Sequence, residues 1–102
     1  MRRSKVSFLL EYKELMLLKK ASYLEPCIFE SIKSARKTKD KYRVKFICED
    51  LQESLGALFF LAGLVKSADE KGSILNLYEK IKGYLVLSYG FKRSIAKRRF
   101  EL

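Results

Sequence analysis

Near the start of the chain, apolar and polar positions alternate: Val6, Phe8 and Leu10 fall on one side of an extended segment, and Lys5, Ser7 and Leu9 on the other. A period of two is that of a half-buried strand. Tyr42, Val44, Phe46 and Cys48 repeat the pattern against Arg43, Lys45 and Ile47. The sequence therefore predicts two strands, each with an apolar inner face and a largely basic outer face.

Helical spacing follows each strand. Leu15, Leu18 and Ala21 share one face up to a break at residues 22–26. Pro26, which lacks an N–H and has a fixed φ, suits the first turn of a second helix carrying Ile28, Phe29, Ile32 and Ala35 inward. After the second strand, Leu51, Leu55, Leu58, Phe59 and Ala62 predict a longer helix from about Asp50 to about Lys66. A polar break at residues 67–72 precedes a last helix, with Ser73 as N-cap, Leu77, Tyr78, Ile81, Tyr84 and Leu85 on one face, and Gly90 as its stop.

The two halves resemble each other. Val6-x-Phe8-x-x-Glu11 recurs as Val44-x-Phe46-x-x-Glu49, and the run from Ile28 to Ser34 recurs in kind from Leu77 to Gly83. The expected fold is α+β and mostly helical, a duplicated β-α-α unit (βααβαα). Its two strands form an antiparallel ribbon packed on four helices, because a pseudo-twofold across the ribbon runs them in opposite directions and a lone ribbon is marginal in water. A chain of 102 residues supports one core. The expected division is a single compact domain at 1–90 and a basic tail at 91–102.

Charge narrows the range of partners. Lys and Arg number 22 against 12 Asp and Glu, a formal charge of +10, and so small a body with that charge attracts polyanions. One concentration of charge comprises Lys33, Arg36, Lys37, Lys39, Lys41, Arg43 and Lys45, relieved only by Asp40. The other is the tail, where Lys92, Arg93, Lys97, Arg98 and Arg99 alternate with Phe91, Ile95 and Phe100. Cations neutralise phosphates and aromatic rings stack on unpaired bases, so DNA, RNA or another polyanion is the expected partner. Against this stands a plainer reading, in which the first cluster caps a helix end and the tail keeps the chain soluble. The tail also has the makings of an interfacial helix on an anionic membrane. In outline, two strand-helix-helix units in one chain resemble fused ribbon-helix-helix units, which implies a ribbon that reads DNA from the major groove.

Residues 55–65 are apolar nearly all round, with Gly56 and Gly63 one heptad apart. Such a helix is either wholly buried or, through Phe59, Phe60, Gly56 and Gly63, the interface of a homodimer. Eleven apolar residues are too few for a transmembrane segment. No signal peptide is legible, and Cys27 and Cys48 sit in apolar contexts as reduced core thiols, so the expected location is cytoplasmic.

Catalytic patterns are missing. The chain has no histidine, no Gly-rich phosphate loop and no nucleophile beside a recognisable base. Its carboxylates Glu11, Glu14, Glu49, Asp50 and Glu53 stand at helix starts, where capping explains them. The reading is a small non-enzymatic nucleic-acid-binding accessory or regulatory protein without cofactor or metal. The alternative is a protein–protein interaction module that self-associates or docks on an acidic partner.

Overall fold

The computed structural model describes the backbone of residues 5–100 and the side chains of residues 5–87. The elements run β1 (Lys5–Leu10), α1 (Tyr12–Ala21), α2 (Pro26–Lys33), β2 (Arg36–Thr38), β3 (Lys41–Ile47), α3 (Cys48–Leu64) and α4 (Ala68–Phe100). The fold is α+β and 66% helical. Between the two halves stands a strand the pattern did not predict.

The sheet is therefore three-stranded, in the order β1-β3-β2 and antiparallel throughout, rather than a two-stranded ribbon. Strand β2 has three residues, all exposed, and no alternation that could have announced it. It forms because residues 39–40 make a tight hairpin that pairs Thr38 with Lys41 and Arg36 with Arg43. Lys39 turns the corner at φ 50°, the left-handed conformation such a loop requires.

Strands β1 and β3 pair with Val6 opposite Phe46 and Phe8 opposite Val44. All four side chains, with Leu10, are buried on the helix-covered side. Phe8 stacks on Phe46, the centroids 5.9 Å apart, and on Tyr84 of α4 at 5.0 Å. These parallel rings join β1 and β3 to α4 and build the centre of the core. Cys48, expected to end the second strand, is instead the buried first residue of α3.

Helix α1 buries Leu15, Leu18 and Ala21, and Pro26 opens α2, as the spacing predicts. Phe29 departs from expectation: it is exposed, while Ile28 and Ser31 face inward. A helix of eight residues touches the core along one line, and Phe29 lies about 100° around from Ile28. Phe59 is likewise on the outer side of α3, and Phe60 beside it.

Helix α4 starts at Ala68, five residues before Ser73. The signal is Ser67-x-x-Glu70: the Glu70 N–H donates to Ser67 Oγ at 3.3 Å, an N-terminal cap within a stretch that composition alone reads as a break. Nor does Gly90 end this helix, which continues to Phe100; none of the described glycines adopts positive φ, and a glycine without it weakens a helix rather than stopping it. Leu77, Ile81 and Leu85 are buried as predicted. Two ion pairs tie α4 to α1, Lys80 to Glu14 at 2.8 Å and Lys20 to Glu70. Glu14 also accepts the Glu11 N–H at 2.9 Å, closing the first turn of α1.

Candidate nucleic-acid interface

With helices against one face of the sheet, the pleat sends every second residue to the other. That open face carries Lys5, Ser7 and Leu9 from β1, Lys41, Arg43, Lys45 and Ile47 from β3, and Arg36 and Thr38 from β2. It holds five cations and no carboxylate. Its lysines and arginines are all exposed, and among the described residues none of them is ion-paired.

The pairing concentrates this charge. Arg36 and Arg43 are direct partners across β2 and β3, an arrangement that costs stability because like charges stand directly opposite each other on one face. Lys45 is two residues along the same side of β3, and Arg43 is also opposite Leu9 of β1. Arg43 Nη1 donates to Ser7 Oγ at 3.5 Å, leaning the guanidinium over the centre of the face. Beside it, a depression of about 310 Å³ is lined by Ser34, Arg36, Arg43 and Lys45. Three cations converging on one hollow with a hydroxyl at its rim suit a phosphate, whose oxygens satisfy guanidinium donors and cancel the repulsion between them. Toward α2 and α3 the surface becomes mixed, in a depression of about 230 Å³ where Glu30 and Asp50 join Lys5 and Lys45.

The predicted cationic stretch is thus divided. Arg36, Lys41, Arg43 and Lys45 are brought together on the open face. Lys37 pairs with Tyr42 and belongs to the other side of the pleat. Lys39 occupies the hairpin corner, and the Lys33 ammonium sits 5.4 Å above the Phe29 ring at the end of α2. Lys5, absent from the predicted basic cluster, joins the face through register, and its place on the outer side of β1 was the available signal. Lys92, Arg93, Lys97, Arg98 and Arg99 have side chains outside the described residues.

Width also matters. Three strands spaced about 4.8 Å apart, with side chains, are broader than the ~12 Å major groove that admits a two-stranded ribbon. The face carries no aromatic ring for a base to stack on. It is suited to lie along phosphates rather than to enter a groove.

Outside the sheet, Gly56, Phe59, Phe60 and Gly63 share the outer side of α3. Phe59 packs at a tilt against Tyr78 of α4, centroids 5.8 Å apart, yet remains 64% exposed, and Phe60 is 59% exposed. The helix is buried on one side only.

Cys27 Sγ donates to the Asp50 carbonyl at 3.5 Å and lies 4.0 Å from Ser54 Oγ. Burial raises its thiol from 9.0 to about 11, so it stays protonated and poorly nucleophilic at neutral pH. Cys48 is buried, and no disulfide joins it to Cys27. Among the described residues no three metal-ligating side chains gather, and no helix is long and apolar enough to cross a membrane. Compared with protein-family models, curated proteins and solved structures, the chain finds no match.

Proposed function

We propose that this chain is a small nucleic-acid-binding accessory protein that engages the phosphate backbone through the open face of its sheet. The observation that carries the reading is the direct pairing of Arg36 with Arg43 beside Lys45, with no carboxylate on the face. A chain that pairs two arginine positions across adjacent strands, with no carboxylate on that face, leaves repulsion that an anion relieves. Binding releases counterions condensed on the nucleic acid, so it falls steeply with salt and discriminates little between sequences. With no ring on the face to stack unpaired bases, duplexes are preferred to single strands.

Fluorescence anisotropy with labelled duplex DNA, duplex RNA and single-stranded RNA over a salt series tests this. Affinity should decline linearly in logarithmic plots, with a slope of roughly −3 to −5 if the five cations each neutralise about one phosphate. Absence of binding at low salt would refute the reading. The same cationic face would receive carboxylates of an acidic protein, and binding to such a partner without binding to any duplex would favour the interaction-module reading.

We also propose a duplicated β-α-α unit on the recurrence of Val6-x-Phe8-x-x-Glu11 as Val44-x-Phe46-x-x-Glu49, with which the antiparallel pairing of β1 and β3 is compatible. The hairpin strand β2 would then be an insertion into the second copy, and it supplies Arg36 to the interface.

A further inference from the structure

The outer face of α3 is apolar, and among the described residues little covers it: Phe59 and Phe60 are 64% and 59% exposed, and Leu64 is 57% exposed. Gly56 and Gly63 flank the two rings. A Cβ built on either glycine would meet nothing within 4 Å, so the packing of a single chain has no use for their smallness. Spaced at three and four residues, all these positions share one side of the helix.

The centre of the stripe, Gly56-Phe59-Phe60-Gly63, is symmetric about its midpoint, and the charges beyond it are opposite in sign. Counting outward from the midpoint between Phe59 and Phe60, Gly56 corresponds to Gly63, and exposed Glu53 corresponds to exposed Lys66, just beyond the helix end. We propose that two copies of the chain associate through this face, their α3 helices antiparallel about a twofold axis that passes between Phe59 and Phe60.

In such an isologous contact residue i meets j and j meets i. Gly56 of one copy then faces Gly63 of the other and the Phe59 and Phe60 rings meet their counterparts, the missing side chains on either side of the rings letting the helices approach closely. Glu53 of each copy then lies toward Lys66 of the other, which makes two complementary charge pairs at the rim. A parallel arrangement would set Glu53 against Glu53 and Lys66 against Lys66, so the charges select the antiparallel one. Each ring carries roughly 150–250 Å² of surface, and with Leu64 the patch reaches the few hundred Å² that marks association surfaces. Even doubled by symmetry it falls at the small end of interfaces, below about 1,200 Å², which points to a weak, reversible dimer. The contact leaves the cationic face of the sheet free and does not depend on the polyanion reading.

Sedimentation velocity of the full chain without nucleic acid, over a concentration series, tests the proposal. The wild type should pass from monomer to dimer as concentration rises. Glu53→Lys alone and Lys66→Glu alone should each weaken the dimer by roughly 3–10-fold, and the two together should restore it, because the pairs are merely exchanged. Gly56→Gln with Gly63→Gln should abolish the dimer while circular dichroism holds and the melting temperature holds or rises, since the free chain has room for both side chains and glycine weakens a helix interior. A chain that stays monomeric at every concentration would overturn the proposal, and so would a dimer unaffected by the paired glycine substitutions.

Discussion

The fold leaves two surfaces bare, the outer face of the sheet and the outer face of α3, and water treats them differently. On the sheet, Lys5, Arg36, Lys41, Arg43 and Lys45 are individually well hydrated, and the cost is mutual repulsion, greatest between Arg36 and Arg43. On α3, Phe59, Phe60 and Leu64 do not repel one another, and the cost is the water held against apolar surface. A partner relieves the first by supplying negative charge and the second by excluding water. Salt therefore distinguishes them: raising it weakens the sheet's binding steeply through counterions and the α3 contact only through screening of its two rim charge pairs. Since the surfaces belong to opposite layers, each can be altered without the other.

The largest expected effect comes from the element both surfaces depend on. Phe46 is 1% exposed and stacked on Phe8, so Phe46→Ala should cost about 3–5 kcal/mol of unfolding free energy by denaturant titration. Phe60→Ala, by contrast, should change the stability of the monomer by less than about 0.5 kcal/mol. Equal losses would mean that the outer side of α3 is covered in the free chain.

Next in size is charge reversal on the sheet. Arg36→Glu with Arg43→Glu should weaken duplex binding on the order of 100-fold at moderate salt and leave sedimentation behaviour as it was. Arg36→Thr alone should raise stability by about 0.2–1 kcal/mol while lowering affinity, because it ends the cross-strand repulsion and removes a phosphate contact together. A variant that lost stability and affinity in parallel would show that Arg36 serves the fold.

A smaller effect lies between the layers, at Cys27. Its thiol is held at about 11 in the folded chain against 9.0 ordinarily, so the folded state keeps the proton to higher pH than the unfolded one. The stability it contributes is fully present below about pH 9 and is lost as pH rises toward 11. In melting curves across that window, wild type should lose more than Cys27→Ala. Identical slopes would remove the thiol from the account.

Much of this architecture was legible in residues whose partners are close or repetitive. Val6, Phe8, Val44 and Phe46 announced their strands by alternation, and Leu77, Ile81 and Leu85 their helix by spacing. Strand β2 was not legible, because Arg36-Lys37-Thr38 has neither alternation nor β-branched runs and exists through the Lys39 corner and the pairing with β3. The charge cluster was visible as composition, and alternation already set Lys5, Arg43 and Lys45 on an outer face; that Arg36 joins them and Lys37 does not depends on the pairing of β2, which no local pattern contains. Phe29 was assigned inward because apolar residues near a core face usually are; its exposure, like that of Phe59, for which the sequence left burial and an interface both open, reflects how few neighbours a small domain has to cover a helix on all sides.

The central claim is that binding resides in the open face of the sheet and not in the net charge of +10. It is tested most directly by comparing two variants that each lose three positive charges: Arg36→Ala, Arg43→Ala and Lys45→Ala on the face, and Lys13→Ala, Lys19→Ala and Lys71→Ala at exposed positions away from it. Duplex anisotropy over a salt series should show the first variant with a salt slope shallower by roughly 3 and most of its affinity gone, and the second close to wild type. Equal losses in the two variants would contradict the account and assign the attraction to overall charge.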